Sequence, residues 1–530
     1  MAEPRSNELM EKIVSLCKRR GFIYQSSEIY GGINGFWDYG PLGAELKRNV
    51  KDLWWRHIVH HRDDVAGLEA TIIMSPRIWE ASGHVDTFSD PMIDCKTCKG
   101  RFRADQANEI PCPQKPSKMV SECHGEKTEP RAFNLMFTTH VGPVQDDSSV
   151  AYLRPETAQA IFAQFKNVLE TSRQKVPFGI AQVGKAFRNE VTPRNYTFRS
   201  REFEQMELEY FIKPDEVVEA IQGRVAPAGD GHPGEPQSDW GWQRWHKYWV
   251  EERIRFYESI GLPRTTLEEY WQTPEELAHY ARATVDILFQ FPFGTQELEG
   301  IAARSDFDLS QHARCSGKPM AVFDEELRTA WKDLEEPRRQ ALWQRYHDAR
   351  YGYLTRSGVD PEAAAAMAKD DADGLAKGNY VPHVIEPSAG VDRLILALIA
   401  NAFSEVSETD AKGKTETRVI MRFHPRVAPI KVGVLPLLRN KPELVQKAKA
   451  VRDLLRPHLT VFYDDGGSIG RRYARQDEAG TPFCVTVDFE TLGEKGPELA
   501  DTVTVRERDT AAQTRVPIAE LAAMLIAKTR

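Results

Sequence analysis

The chain has 530 residues, 41% of them hydrophobic and 28% charged, the proportions of an ordinary globular protein with room for one large domain and one or two smaller ones. No run approaches the roughly 20 uninterrupted apolar residues of a membrane span, and the opening Met-Ala-Glu-Pro-Arg-Ser-Asn-Glu lacks the apolar core of a signal peptide, so a cytosolic protein is expected. The net charge of −8 hides an asymmetry, because residues 418–530 carry 19 Lys/Arg against 14 Asp/Glu while the acidic excess lies in 1–417, a pattern that fits a tail meeting phosphates.

Residues 7–20 read as a helix with Leu9, Ile13, Val14 and Cys17 on one face. The Gly-rich stretch 30–35 breaks it, and Pro41 opens a second helical run over 43–60 carrying Leu46, Val50, Leu53 and Trp54. Residues 95–125, rich in Cys, Lys and Pro, read as a small metal-held insert. Residues 178–187 and 199–211 predict two antiparallel strands joined by a turn-rich basic loop. A Gly/Pro loop over 226–241 precedes a Trp-rich helix over 242–260. Residues 324–378, charged and Ala-rich, predict an inserted helical excursion. The text 387–403 combines a small-residue turn with an apolar helix from Val391. After a polar bridge over 405–417 comes a module in which strands over 430–435, 460–463, 483–487 and 502–506 alternate with helices.

The strongest chemical signal is Phe187-Arg188-Asn189-Glu190, a loop, then Arg199-Ser200-Arg201-Glu202-Phe203-Glu204-Gln205-Met206-Glu207. A hairpin puts alternate residues on one sheet face, so it combines an arginine fork able to clamp a phosphate with Phe203, a flat partner for a nucleobase. A surface hairpin laced with ion pairs is the plainer alternative.

This text resembles motif 2 of the class II aminoacyl-tRNA synthetases. Pro387-Ser388-Ala389-Gly390-Val391-Asp392-Arg393 looks like their motif 3, and Gly40-Pro41-Leu42-Gly43 like motif 1, the proline-led helix of the dimer interface. The finer resemblance is to the homodimeric glycyl-tRNA synthetases. It is carried by Ala81-Ser82-Gly83-His84-Val85 with Phe88, Phe133–Phe137, Leu153-Arg154-Pro155-Glu156-Thr157-Ala158-Gln159, Ser305–Leu309, and Asp464–Tyr473 followed by Gln476-Asp477. Ala160 departs from the glycine usual in that family, and a methyl near the pocket would narrow it.

The resemblance implies an α+β protein: a class II catalytic domain over 1–417, with a mixed, mainly antiparallel sheet flanked by helices and inserts at 95–125 and about 324–378. An α/β anticodon-binding domain would follow over 418–530. It implies a homodimer that joins glycine to tRNA(Gly) through an adenylate, using ATP with Mg²⁺. By resemblance Arg188 holds the α-phosphate and Arg393 the γ-phosphate, Glu297 binds Mg²⁺ with nearby acids, and Phe203 stacks on adenine. Asn189, Glu190, Phe198, Arg199, Leu298 and Gly390 would complete the nucleotide site. Glu156, Glu207, Glu386 and Ser388, beside Phe203 and Gly390, would take the glycine ammonium, and Arg103 its carboxylate. Every rival of glycine is larger, so steric exclusion suffices and no editing segment is needed.

Cys95-x-x-Cys98, Cys112 and Cys123-His124 suit a tetrahedral Zn²⁺ site, with His124 as an alternative to Cys123 and free thiols as the bland reading. His57, His60 and His61 suit surface or dimer contacts, and Trp240, Trp242, Trp245 and Trp249 suit packing more than RNA stacking. Gly466–Gly470 reads as a turn beside Arg471, Arg472 and Arg475, which would suit an RNA backbone. The rival functions are a synthetase for proline, threonine or histidine, and a non-catalytic RNA-binding paralogue.

Overall fold

A computed structural model describes residues 5–229, 231, 233–278, 280–409 and 415–530. The largest unit is built on a seven-stranded sheet of β1 (Val65–Gly67), β2 (Phe178–Phe187), β3 (Glu202–Ile212), β4 (Leu267–Trp271), β5 (Ala283–Phe291), β6 (Gly294–Ser305) and β7 (His383–Gly390), in the order β4-β5-β6-β7-β3-β2-β1. Only β1 and β2 run parallel; the other neighbours are antiparallel, which gives the expected mixed sheet. Five helices position the site: α1 (Pro41–Trp55), α2 (Ala158–Thr171), α3 (Trp242–Ser259), α4 (Phe307–Ser316) and α5 (Val391–Ala402).

The text of β3 explains its place. Successive side chains of a strand point to opposite faces, so Phe203, Gln205, Glu207 and Glu209 share one face and Met206, Leu208 and Tyr210 the other. The apolar face is covered by α3, whose Trp245 and Trp249 lie 5.1 and 5.0 Å from the Tyr210 ring. Burying such side chains stabilises the layer by roughly 1.5–3 kcal/mol each. The Trp-rich segment therefore packs: Trp240, Trp245 and Trp249 are buried. A slip of one residue would turn both faces inside out.

In α1, Pro41 sits at the first position, where its missing N–H costs nothing. Gly43 lies so close to the Phe22 carbonyl that any Cβ would collide with it. The helix passes into a π-turn, Arg56–His60. There the His57 ring lies tilted against Phe256 at 5.4 Å, and burial, then Arg253, pushes its pKa down to about 3. It is a neutral packing group, while His60 and His61 are exposed.

The inserted helices are Glu325–Asp333, Glu336–Arg356 and Pro361–Leu375, with Asp324 and Asp360 accepting from the free N–H groups at the starts of the first and third. Ala364, Ala368 and Ala372 form a buried small-residue face. The second helix is fastened to the body by Arg350, which pairs with Asp306 and donates to Ser310 at 2.9 Å, and by Tyr353, whose hydroxyl donates to the Phe307 carbonyl at 3.0 Å.

Two expected elements take other forms. The small-residue text 387–390 is no turn: β7 continues through Gly390, which caps α5 directly. The polar bridge is a hairpin, Phe403–Thr409 against Thr415–Met421, so the expected domain boundary at 417/418 falls inside a strand. The final sheet holds Val461–Tyr463, Val432–Pro436, Phe483–Val487, Thr502–Glu507 and Gln513–Pro517 in that spatial order. The last strand has no sequence signature because it is a mostly exposed edge with polar text.

Candidate active site

The polar face of the sheet forms the floor of a cleft of about 1170 Å³. Strands β3, β7 and β6 each contribute alternate residues: Phe203, Gln205 and Glu207; Glu386, Ser388 and Gly390; Gly300, Ala302 and Arg304. A bulge decides what β6 adds at its near end. Leu288 pairs with Glu297 and Ile287 with Glu299, leaving Leu298 over. Glu297 is thereby turned to the cleft, whereas Leu298 enters the core and Glu299 is buried against Arg253 (2.8 Å) and the Tyr257 hydroxyl.

One end of the cleft is cationic. The Arg188 guanidinium lies 5.4 Å from the ring centres of both Phe203 and Phe88, and its Nε donates to the Pro155 carbonyl at 3.0 Å. Arg393, in the first turn of α5, lies 4.5 Å from the Phe198 ring and 3.2 Å from the Glu297 carboxylate. Glu190 holds Arg199 at 2.7 Å. Asp286, which Gln272 holds at 2.8 Å, lines the same wall as Glu297. Two carboxylates facing an open, solvated cleft are a hard oxygen donor set of the kind Mg²⁺ takes, so the residues fit that ion.

The other end is acidic and buried. Glu207, Glu209 and Glu386 each place an oxygen within 4.8 Å of the others. Thr157 Oγ1 donates to Glu207 at 2.7 Å. Burial, then Glu386, pushes Glu207 up to about 8, while burial raises Glu386 against the opposing pull of Arg304. Arg304 is the main counter-charge, giving Nη1 to Glu386 at 2.6 Å and Nε and Nη2 to Asp308 at 2.8 and 3.0 Å, beneath the Tyr280 ring at 4.0 Å. For Glu156 burial acts upward, but His84, 3.3 Å away, with Arg304 and Arg188, overrides it and holds the group below the usual carboxylate range. The cleft thus joins two cations beside aromatic rings to a carboxylate-lined recess.

Most of the expected residues meet here: Glu156, Arg188, Glu190, Phe198, Arg199, Phe203, Glu207, Glu297, Glu386, Ser388, Gly390 and Arg393 all line the cleft. Four expectations land elsewhere. Asp90 and Asp105 take the Arg103 guanidinium at 2.7 and 2.6 Å, so it does not line the cleft. Leu298 is a core side chain, and Asn189 is engaged through its N–H with the Leu135 carbonyl at 2.7 Å. Ala160 is buried away from the lining. Sequence reasoning assigned no role to Arg304, His84, Asp308 or Glu209. The first three lie in or beside blocks that carried the resemblance, which was the available signal.

Two families match parts of the chain: "tRNA synthetase class II core domain (G, H, P, S and T)" over residues 137–228, and "Anticodon binding domain" over 431–528. Along 525 residues the sequence is 44% identical to the glycine--tRNA ligase of Thermobifida fusca, covering 97% of this chain and 96% of that protein. The chain belongs to the glycine--tRNA ligase family. The ligases of Treponema denticola and Thermus thermophilus are each 43% identical, covering 97% of this chain and 95% and 98% of theirs.

Away from the cleft, this ligase gathers its cysteines in the 95–125 insert around a small core of Ile93, Phe102, Ile110 and Val120. Cys95 accepts from the Cys98 N–H at 3.4 Å and neighbours the Cys98 and Cys123 thiols, and Cys112 neighbours Cys123. Backbone donors, led by the Cys98 N–H, draw Cys95 down to about 7. Among the described residues these sulfurs meet in pairs, and no three of them lie all within 4.8 Å of one another. His124 is exposed. In the C-terminal domain the turn at 466–467 does not free its arginines. Arg472 is buried on the Pro436 and Gly467 carbonyls and Arg475 pairs with Asp464 at 2.6 Å, leaving Arg471 exposed.

Proposed function

We propose that the protein joins glycine to tRNA(Gly) at the expense of ATP through a glycyl-adenylate, and that the cleft is its active site. What carries the reading is the join of a cationic, aromatic-flanked end to a buried carboxylate recess on one sheet face, in a chain of this family. Adenine stacks on Phe203, Arg188 meets the α-phosphate and Arg393 the γ-phosphate. The glycine carboxylate oxygen attacks the α-phosphorus, a P–O bond forms, and the bond to pyrophosphate breaks. The obstacle is repulsion between anions, so fixed guanidiniums and positioning supply most of the acceleration. Glu297, with Asp286, would hold Mg²⁺, which neutralises charge on the leaving phosphates. The 3′-terminal ribose hydroxyl of the tRNA then attacks the acyl carbonyl and AMP leaves.

Glu156, Glu207 and Glu386 receive the substrate ammonium, which adds a second positive charge to a recess whose acids outnumber the one Arg304 guanidinium. Its arrival favours ionised Glu207. With Arg103 held by Asp90 and Asp105, the carboxylate faces Arg188. Pyrophosphate exchange tests the reading: it is expected with glycine and not with alanine or proline. Exchange with proline instead would back a different synthetase, and none with any amino acid would back a non-catalytic paralogue.

The insert cysteines Cys95, Cys98, Cys112 and Cys123 are proposed to hold a structural Zn²⁺, which a unit with so small a core needs. A homodimer through the α1 region and a cytoplasmic location complete the proposal. Native mass spectrometry is expected to find a dimer carrying one zinc per chain. A metal-free insert would remove the zinc proposal, and a monomer at micromolar concentration the dimer.

A further inference from the structure

Glu209 is completely buried (0% exposed), yet among the described residues neither carboxylate oxygen has a hydrogen-bond partner. The register places it. Strands β3 and β7 pair Glu207 with Ser388 and Tyr210 with Ile385, so Glu209 lies opposite Glu386 on the cleft side. The pairing skips Leu208 and Glu209, at the point where β7 carries Pro387, which has no N–H to give. One oxygen of Glu209 stands within 4.8 Å of an oxygen of Glu207 and of Glu386.

The charged groups acting on it are Glu386, Arg304, Glu207 and Asp308. Arg304, the one cation among these four, is committed: its Nη1 goes to Glu386, and its Nε and Nη2 go to Asp308. A bare carboxylate in such a place is among the costliest arrangements a fold can hold, and the group neutralises instead. Burial, followed by Glu386, accordingly raises Glu209 well above the ordinary carboxylate range.

We propose that Glu209 is a neutral carboxylic acid in the working enzyme, its single hydroxyl donating to one of the two neighbouring carboxylates, Glu386 or Glu207, and that it is a positioning residue for that pair. It does not touch substrate. It supplies a side-chain donor inside the recess, and it keeps a third negative charge out so that the other two carboxylates keep their aim. The positioning role rests on reading that recess as the glycine site; the protonation state does not.

Glutamine keeps a neutral donor of the same length, whereas leucine keeps the volume and loses the donor. In pyrophosphate exchange, Glu209→Gln is expected to stay within about threefold of the parent in kcat/KM for glycine. Glu209→Leu is expected to lose about tenfold or more, through KM for glycine and not for ATP. Infrared difference spectra near neutral pH are expected to show a carboxylic-acid C=O band in the parent that Glu209→Gln lacks. This measurement needs no glycine and no leucine variant that folds. A Gln variant as impaired as the Leu variant would show that an ionised carboxylate is required and would overturn the proposal, as would parent and Gln spectra alike in that region. If instead Glu156→Gln and Glu386→Gln leave KM for glycine unchanged, the recess is not the glycine site. The positioning role then falls with it, while the acid band still separates the two spectra.

Discussion

Arg393→Ala is expected to lower adenylate formation about a thousandfold while leaving folding and tRNA affinity unchanged. The guanidinium stands at the start of α5 on a solvated wall, and its contacts are the face and carbonyl of Phe198 and the carbonyl and carboxylate of Glu297. Removing it uncovers no buried charge, because Glu297 remains half exposed. The loss therefore falls on the reaction, where charge builds on the leaving phosphates. A factor of a thousand corresponds to about 4 kcal/mol of transition-state stabilisation, an ordinary value for one well-placed charge. Arg393→Lys should recover only part, since an ammonium cannot reproduce the planar fork. Pyrophosphate exchange measures the effect, with tRNA affinity determined in parallel. Exchange within tenfold of the parent would remove Arg393 from the role.

The second large effect is expected at Arg304, and it falls on stability as well as on substrate. The side chain is about 5% exposed and bridges Glu386 to Asp308. Arg304→Met leaves both carboxylates without their cation beside Glu207 and Glu209, so unfolding free energy should fall by about 3–5 kcal/mol, the usual penalty for breaking a buried ion pair from one side. KM for glycine should rise at least about tenfold, because Glu386 loses the partner that aims it, while KM for ATP stays put. Denaturant titration and exchange kinetics read the two effects separately. Adding Glu386→Gln to the Met variant should return part of the stability, since one stranded charge is then gone. If the single variant stays within about 1 kcal/mol of the parent, the recess does not depend on this cation.

The relation between α4 and the inserted helices gives Arg304 a wider setting. Arg350 from the insert grips Asp306 and Ser310, at the start of the same helix whose Asp308 holds Arg304. The excursion at 324–378, with no motif of its own, thus braces the wall of the recess.

The hairpin is legible in the sequence because its alternation is a local property. Phe203 and Glu207 sit four residues apart in one strand and must share a face. Glu209 obeys the same rule and went unassigned, since nothing in the strand's text separates an acid that meets substrate from one that stands behind it. Glu297 and Glu299 show the opposite failure. Simple alternation would put both on one face, opposite Gly300 and Ala302, and the bulge at Leu298 turns Glu297 to the cleft while Glu299 stays in the core against Arg253. Arg103 and Arg472 looked free as text, yet each is held in the fold, by Asp90 and Asp105 in one case and by backbone carbonyls in the other.

Sequence alone determined the face on which the hairpin carries its chemistry and the strand–helix alternation of the C-terminal module, because each depends on spacing within short stretches, and the mixed-sheet architecture of the catalytic part followed from the resemblance that the three motifs carry. Tertiary structure alone decided which charges are available for substrate. Ion pairing joins residues as far apart in the chain as Arg304 and Glu386, and burial, which sets the price of every unpaired carboxylate, exists only once the layers have closed around it.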